Sequence, residues 1–144
     1  MGVLTEFFIA TPLDLHHLHD DVRPIDIFTG TDFKGVSFEE LTDLRMLITQ
    51  APKTIDNDVE QESVLLFNHN DQILVYQLPV AFRDALAAID DSRISYLAEA
   101  WLQIVHEDVA LWDPGDVERG LRDVIELSRQ ARQTDHKLYL WHCV

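Results

Sequence analysis

Three histidines and two aspartates crowd into six residues near the N-terminal end, in the stretch His16-His17-Leu18-His19-Asp20-Asp21. Imidazole nitrogens and carboxylate oxygens bind zinc or nickel when two or three of them converge on one point. In a helix, His16 would share a face with His19 and Asp20. In a strand, His17 and His19 would share a face with Asp21. Neither arrangement matches the helical His-Glu-x-x-His motif, so each gives a partial site. The candidate metal ligands are His16, His17, His19 and Asp20.

A second pair with chemical potential is His142 beside Cys143, which could be imagined as a thiol with its base. Adjacent residues of a strand point to opposite faces, so the two side chains cannot meet directly. We expect a buried, inert thiol here. A nucleophilic Cys143 would need a base from elsewhere, such as His69 or His106.

The acids Asp56, Asp58, Glu60 and Glu62 alternate along the aperiodic stretch 53–62. Alternating carboxylates resemble calcium ligands, but the glycine and the terminal glutamate of an EF-hand loop are not at the required positions. The stretch is therefore interpreted as a solvated, self-repelling loop.

Trp112 stands apart from the other tryptophans because it lies between two predicted helices, in the stretch 107–114. It is either a hydrophobic clamp over the domain or a contact for a ligand or partner. We keep it as a candidate contact residue.

The five glycines form no phosphate-binding loop, dinucleotide turn or Gly-x-Ser-x-Gly motif, so nucleotide hydrolysis, hydride transfer and serine hydrolysis have no visible machinery.

The charge of the chain is strongly one-sided. Its 26 acids and 11 bases give a formal net charge of -15, and the bases form no cluster, which argues against nucleic acid as a partner.

The first residues lack a basic region, and Glu6 interrupts their apolar run. With the single cysteine Cys143 and no apolar run long enough for a bilayer, we expect a cytoplasmic protein that does not bind membranes.

Five stretches have the composition of strands. Val3–Ala10 is rich in aromatic and β-branched residues, and a shorter strand is predicted over Pro24–Thr29, closed by Gly30. Ser63–Phe67 and Ile73–Leu78 flank turn-forming residues and predict a β-hairpin. The segment Lys137–Val144 is apolar on both faces, which is typical of a strand in the middle of a sheet.

Four helices are predicted between these strands. Ser37 and Glu40 form a capping box that starts a helix ending near Gln50. Helical spacing recurs from Phe82 to Ile89, and again from Ile94 to Val105 after a cap at Asp91 or Ser92. The last helix runs from about Asp116 to Gln133, with Asp113 as its N-cap. Its predicted inner face is Val117, Leu121, Val124, Ile125, Ser128 and Ala131.

Together these elements predict one α+β domain over residues 1–144. Because the strands come both as a hairpin and as pieces separated by helices, we expect a mixed sheet of about four or five strands. The hairpin belongs to that sheet, the C-terminal strand lies in its centre, and about four helices pack against it.

The chain as a whole resembles a group of small uncharacterised bacterial proteins that begin Met-Gly-Val with an aromatic strand and end in a helix followed by a Trp-x-Cys-Val strand. The matching residues are Met1–Val3, Asp32–Gly35, Arg83–Ala88, Trp101, Trp112 and Leu140–Val144. The resemblance implies a shared architecture and no catalytic residue or cofactor. The histidine-rich stretch 16–21 is a departure from that pattern.

Two classes of function follow from these patterns. The first is a non-catalytic interaction or regulatory protein whose acidic surface binds a basic protein, with no cofactor. The second is a small metal-dependent enzyme or ligand-binding protein centred on His16, His17, His19 and Asp20, with His69 or His142 joining from elsewhere in the fold.

Overall fold

A single five-stranded sheet organises the protein. The computed structural model describes residues 4–50, 58–105 and 113–144. The strands are β1 (Leu4–Ala10), β2 (Thr29–Asp32), β3 (Val64–His69), β4 (Ile73–Gln77) and β5 (Lys137–Cys143), in the spatial order β2-β1-β5-β4-β3. The predicted α+β class and the central position of the C-terminal strand are confirmed.

The sheet differs from the predicted mixed sheet in one respect, because every pairing between the described strands is antiparallel. Three helices separate β4 from β5, a pattern that often accompanies parallel neighbours. Here the chain enters β5 at the same end of the sheet at which it leaves β4. At that end, Gln77 lies opposite Tyr139, and the Leu78 amide donates to the Leu138 carbonyl at 2.9 Å. The intervening helices therefore do not impose a parallel pairing.

Four helices of eight or more residues are present in the described part of the chain, which confirms the predicted number. They are α1 (Phe38–Thr49), α3 (Val80–Ala87), α4 (Ile94–Ile104) and α5 (Pro114–Thr134), and one further helical turn forms α2 (Val59–Glu62). Short 3-10 segments cover Pro12–His17, Pro24–Asp26 and Asp91–Arg93.

The helix termini follow the predicted caps with one change. The Ser37 amide donates to a Glu40 carboxylate oxygen at 3.2 Å, as a capping box requires, and Asp113 accepts from the Gly115 amide at 2.8 Å. Before α4, Asp90 caps the 3-10 turn Asp91–Arg93 by accepting from the Ser92 amide, whereas the sequence predicted a cap at Asp91 or Ser92. The extra 3-10 turn before α4 explains this shift of the cap.

The second strand lies later in the sequence than predicted. Pro24–Asp26 forms a 3-10 turn, and the strand begins at Thr29 and includes Gly30, which pairs with Phe8. A Cβ atom at Gly30 would lie 2.5 Å from the Phe7 carbonyl oxygen, so only glycine fits this close pairing. Gly30 therefore belongs to the ladder and does not terminate it.

The prediction of a solvated acidic loop over residues 53–62 is wrong for its last residues. Residues 51–57 lie outside the described residues, but Asp58 caps the helical turn α2, and Val59 is buried. The Val59 amide donates to the Thr42 hydroxyl of α1 at 3.1 Å. A single apolar residue in an acidic stretch thus anchors it against α1.

The two faces of the sheet bury different sets of side chains. We call the side covered by the α-helices the helix face; it contains Phe7, Ile9, Leu138 and Leu140, which pack with residues of all five helices. The predicted inner face of α5 is buried here, from Val117 to Ala131. The Trp101 indole of α4 donates to the Glu40 carbonyl at 2.8 Å, which ties α4 to the start of α1. Within the helical spacing predicted from Ile94 to Val105, Ile104 is 39% exposed.

The opposite side, which we call the loop face, is covered by the irregular segment 11–28. Phe8, Tyr139 and Trp141 are buried there, and Phe28 stacks on Phe8 with ring centroids 5.1 Å apart. Leu15 and Leu18 of the segment also pack against this cluster. The same segment carries the histidine-rich stretch, so the covering of the loop face determines where those histidines lie.

Candidate functional site

The histidine-rich stretch follows β1 in a 3-10 helix, Pro12–His17. The Thr11 side chain caps this helix by accepting from the Asp14 amide at 3.3 Å, and Pro12 occupies the first position. Leu15 and Leu18 face the sheet, while His16, His17 and His19 are exposed. This segment therefore uses Leu15 and Leu18 for packing and directs its imidazoles outward.

The imidazoles have separate local partners. Nδ1 of His16 lies within hydrogen-bond distance of the Leu13 carbonyl, and the rings of His16 and His17 are 3.9 Å apart between centroids. His19 contacts the Asp21 carboxylate, and this hydrogen bond lowers the pKa of the Asp21 carboxyl. Each interaction is local to the segment, so none of them joins the three imidazoles at one point.

Asp20 forms an ion pair that links this stretch to a distant part of the chain. Its Oδ2 atom lies 3.1 Å from Nε2 of His69, at the end of β3. His69 therefore lies beside the carboxylate of the stretch, and its part in a metal site stays a prediction. Both side chains remain substantially exposed.

No group of three or more His, Cys, Asp or Glu side chains that could hold a metal ion occurs within residues 4–50, 58–105 and 113–144. The candidate ligands His16, His17, His19 and Asp20 are instead distributed over the contacts described above. Trp112 and His106 lie outside the described residues. The metal site and the Trp112 contact stay predictions.

His142 and Cys143 occupy adjacent positions of β5. His142 pairs with Thr5 and Leu74 across the sheet, and Cys143 packs at the margin of the loop-face cluster. Since neighbouring strand residues face opposite sides, the imidazole and the thiol belong to different faces. Burial lowers the pKa of the His142 imidazole. The imidazole and the thiol therefore do not meet, as the alternation predicted, but the thiol is half-buried and not fully buried as expected.

An ion pair with one buried partner, the Glu6 carboxylate, anchors the segment that carries the histidines. Glu6 of β1 is fully buried and contacts the Arg23 guanidinium, while its second oxygen accepts from the Ile25 amide at 3.0 Å. The sequence showed Glu6 only as an interruption of an apolar run. An acid inside an interior strand was the available signal, because a buried carboxylate requires a partner.

Arginines elsewhere are also engaged by acids or carbonyls of the same chain. Arg129 of α5 lies 2.8 Å from an Asp91 carboxylate oxygen and donates to carbonyls at the end of α3, and Arg83 donates to the His136 carbonyl at 2.7 Å. Within the part of the chain that the structure describes, carboxylate partners lie beside Arg23, Arg45, Arg83, Arg119 and Arg129. Much of the scarce positive charge is therefore neutralised within the molecule.

The outer edge of β3 is a feature that the sequence did not identify. Val64, Leu65 and Leu66 are 53%, 48% and 43% exposed, although they are consecutive apolar residues of a strand. The hairpin was predicted correctly, but nothing in its pattern indicated which of its strands would lie at the sheet edge. A run of apolar residues next to an acidic stretch was the only signal present.

The α-helices within the described residues are all too short or too polar to cross a bilayer. Comparison with protein-family models, with curated proteins and with solved structures finds no match to this chain. The resemblance to the small bacterial proteins accordingly stays a prediction. Function has to be argued from charge, exposure and contacts.

Proposed function

We propose that this protein is a non-catalytic interaction protein that binds a basic partner protein through its acidic surface. The observation that carries the proposal is the imbalance of charge, a net -15 in which several arginines are already paired with acids of the same chain. The field outside the molecule is thus dominated by unpaired carboxylates. Such a field accelerates encounter with a cationic partner and disfavours anionic ones.

The exposed apolar edge of β3 adds support to this proposal. Charge alone serves solubility, whereas a protein interface also needs apolar side chains that lose water on contact. Val64, Leu65 and Leu66 supply such side chains at three consecutive positions of one strand. Together, the acidic field steers the partner and the apolar edge contributes contact area.

The test is capture of partners on the immobilised full chain from a lysate of the source cells, at about 0.1 M and about 1 M salt. We expect a basic protein that is retained at low salt and released at high salt. The captured protein is then purified, and its dissociation constant is measured over the same range of salt. An acidic partner, a salt-independent affinity or no retained protein at low salt would contradict the proposal.

A matched pair of variants separates charge from shape. Glu60 and Glu99 are exposed acids on different helices, and Glu60→Gln with Glu99→Gln removes two charges at nearly constant size. Glu60→Asp with Glu99→Asp keeps both charges. We expect the glutamine variant to bind the purified partner more slowly and the aspartate variant to match the natural chain.

A metal-dependent enzyme or ligand-binding protein is the second candidate, and the contact between Asp20 and His69 is the observation that favours it. A thermal melt with EDTA and then with zinc, nickel or manganese tests it. A metal at a hundred times its dissociation constant stabilises by about 2.7 kcal/mol, equivalent to about 5 to 11 °C. The shift should vanish in His17→Ala with His19→Ala and persist in His136→Ala; an unchanged melting temperature in every metal would retire this candidate.

A further inference from the structure

The edge formed by β3 offers backbone as well as side chains. In a five-stranded sheet the outer side of an edge strand carries amide and carbonyl groups that have no neighbouring strand. Among the described residues, no backbone hydrogen bond from another segment reaches the outer side of Val64–His69. Val64 and Leu65 point to opposite faces, so apolar surface flanks this backbone on both sides.

The other edge of the same sheet is built differently. Strand β2 has four residues, Thr-Gly-Thr-Asp, none of them a large apolar residue. It packs against α5 and the 3-10 turn at Pro24–Asp26. Short, polar and covered edges are how proteins avoid pairing with another strand. β3 is longer, apolar and exposed, and it lacks the lysine or proline that commonly blocks pairing.

Acids lie at both ends of β3. Glu60 and Glu62 precede the strand, and Glu60 is close enough to Tyr76 of β4 to help raise the pKa of the Tyr76 hydroxyl, after the larger effect of burial. Asp71 follows the strand in the hairpin turn, and Asp20 contacts His69. Arg45 neutralises Glu62, so the remaining acids give the edge a negative potential. An incoming strand with basic side chains would complement them.

A second copy of this chain fits the edge poorly. Antiparallel pairing of two β3 strands would bring Glu60 of one copy toward Asp71 of the other, and each copy carries a net charge of -15. The register of β3 also shifts between Leu65 and Phe67, which bends the strand. A bent edge limits continuous pairing and suits a short peptide strand better than a long sheet-to-sheet junction.

We infer that the outer edge of β3 binds an extended, basic segment of the partner protein by adding it to the sheet as a sixth strand. Backbone hydrogen bonds would provide affinity, and apolar and basic side chains of the segment would provide selectivity. The inference rests on the proposed function, because it locates the site at which the basic partner is bound.

The experiment uses the full chain and a synthetic peptide that alternates lysine and valine. Amide chemical shifts and hydrogen exchange are followed during titration at low salt. A second peptide with the same sequence, N-methylated at its valines, keeps the charge but cannot donate those hydrogen bonds. We expect the first peptide to shift and protect the amides of Val64–His69 and the second to bind about tenfold more weakly, a loss of about 1.4 kcal/mol.

Two protein variants provide the matching comparison at constant net charge. Leu65→Gln with Leu66→Gln removes apolar surface from the edge, and Leu13→Gln with Tyr96→Gln removes it from two exposed positions elsewhere. The first variant should bind the lysine-valine peptide about tenfold more weakly. The second should bind it like the natural chain. The N-methylated peptide keeps the test decisive if the first variant fails to fold.

The possible results separate this inference from the proposed function. Salt-sensitive binding that leaves the β3 amides unchanged would overturn the β3 site and leave the proposed function standing. Failure of the peptide and of every basic protein to bind at low salt would overturn both. If the β3 amides become protected from hydrogen exchange as protein concentration rises without peptide, and sedimentation shows a dimer, the edge is occupied by a second copy of this chain. That result would overturn the inference of a basic segment.

Discussion

The helix face and the loop face of the sheet are stabilised by different kinds of contact. On the helix face, α-helices bury continuous apolar stripes, and Trp101 both fills the core and donates to the Glu40 carbonyl. On the loop face, irregular backbone covers an aromatic cluster and is anchored by the pair of Glu6 and Arg23. Regular helices satisfy their own backbone groups, whereas an irregular cover needs specific polar anchors. The loop face therefore depends on fewer, more individual interactions.

The largest expected effect compares one tryptophan from each face. Trp101→Ala should lower the free energy of unfolding by about 4 kcal/mol, because a large buried side chain and a hydrogen bond are lost from a rigid core. Trp141→Ala should cost less, about 3 kcal/mol, since the irregular cover can partly collapse into the cavity. Urea unfolding of both variants measures the difference. Equal losses would mean that the loop face is packed as rigidly as the helix face.

The two partners of the Glu6–Arg23 pair, which anchors the loop face, should differ in how much their replacement lowers the free energy of unfolding. Arg23→Gln leaves the buried Glu6 carboxylate with the Ile25 amide as its remaining partner and should cost about 2 kcal/mol, below the full cost for a buried pair because Arg23 is 44% exposed. Glu6→Gln leaves a partly solvated guanidinium instead, and should cost about 1 kcal/mol. Denaturant unfolding of both variants, together with the double variant, forms a double-mutant cycle. The opposite order would show that Glu6 does not depend on Arg23 for compensation.

Tyr139, on the loop face, should make the stability of the protein depend on pH in the alkaline range. Its hydroxyl is buried with no hydrogen-bond partner among the described residues, and burial raises the pKa of Tyr139 to about 12. Tyr139→Phe should stabilise by about 1 kcal/mol, since it removes an unsatisfied polar group. Because the raised pKa favours the neutral hydroxyl in the folded state, stability falls as pH rises from about 10 toward about 12. Melting of both proteins over this range should show a shallower fall in the variant.

His142, on the helix face, should make the stability of the protein depend on pH in the mildly acidic range. Burial lowers the pKa of the His142 imidazole, so the unfolded chain binds its proton more readily than the folded one. Stability from this group is complete above the unfolded pKa of about 6.5 and declines as pH falls below it. The slope of stability between about pH 7.5 and 5 should be reduced in His142→Gln. Replacement of an exposed histidine, His17→Gln, is the control, and equal slopes in the natural chain and His142→Gln would remove this role.

The regular elements were predictable because each has a local cause. The causes lie within a few residues of each element: the capping box at Ser37, the N-cap Asp113 with Pro114 at the first position of α5, and the aromatic and β-branched residues of β1. Even the central position of β5 followed from apolar side chains on both of its faces. Local patterns thus determine the elements and much of their burial.

The candidate site was harder to predict because its properties depend on neighbours distant in sequence. The pairing of Asp20 with His69 follows from how the segment 11–28 lies over the loop face, which no spacing in the sequence encodes. Exposure of Leu65 and Leu66 follows from strand order, which was not inferred. The sequence predicts a strand over Pro24–Thr29, but Pro24 is buried in a 3-10 turn and Phe28 packs onto the loop face without joining a ladder.

The central place of β5 also constrains how the protein reaches its folded state. The pairs β1–β2 and β3–β4 do not contact each other in the ladder, and only β5 joins them, so Leu4 meets Cys143 across almost the whole sequence. Contacts of such long separation slow folding, because the entropy of closing the chain is lost before they form. During synthesis, β1 and β4 present unpaired edges until β5 has emerged from the ribosome. Aggregation during that interval, more than low final stability, is the hazard that this topology creates.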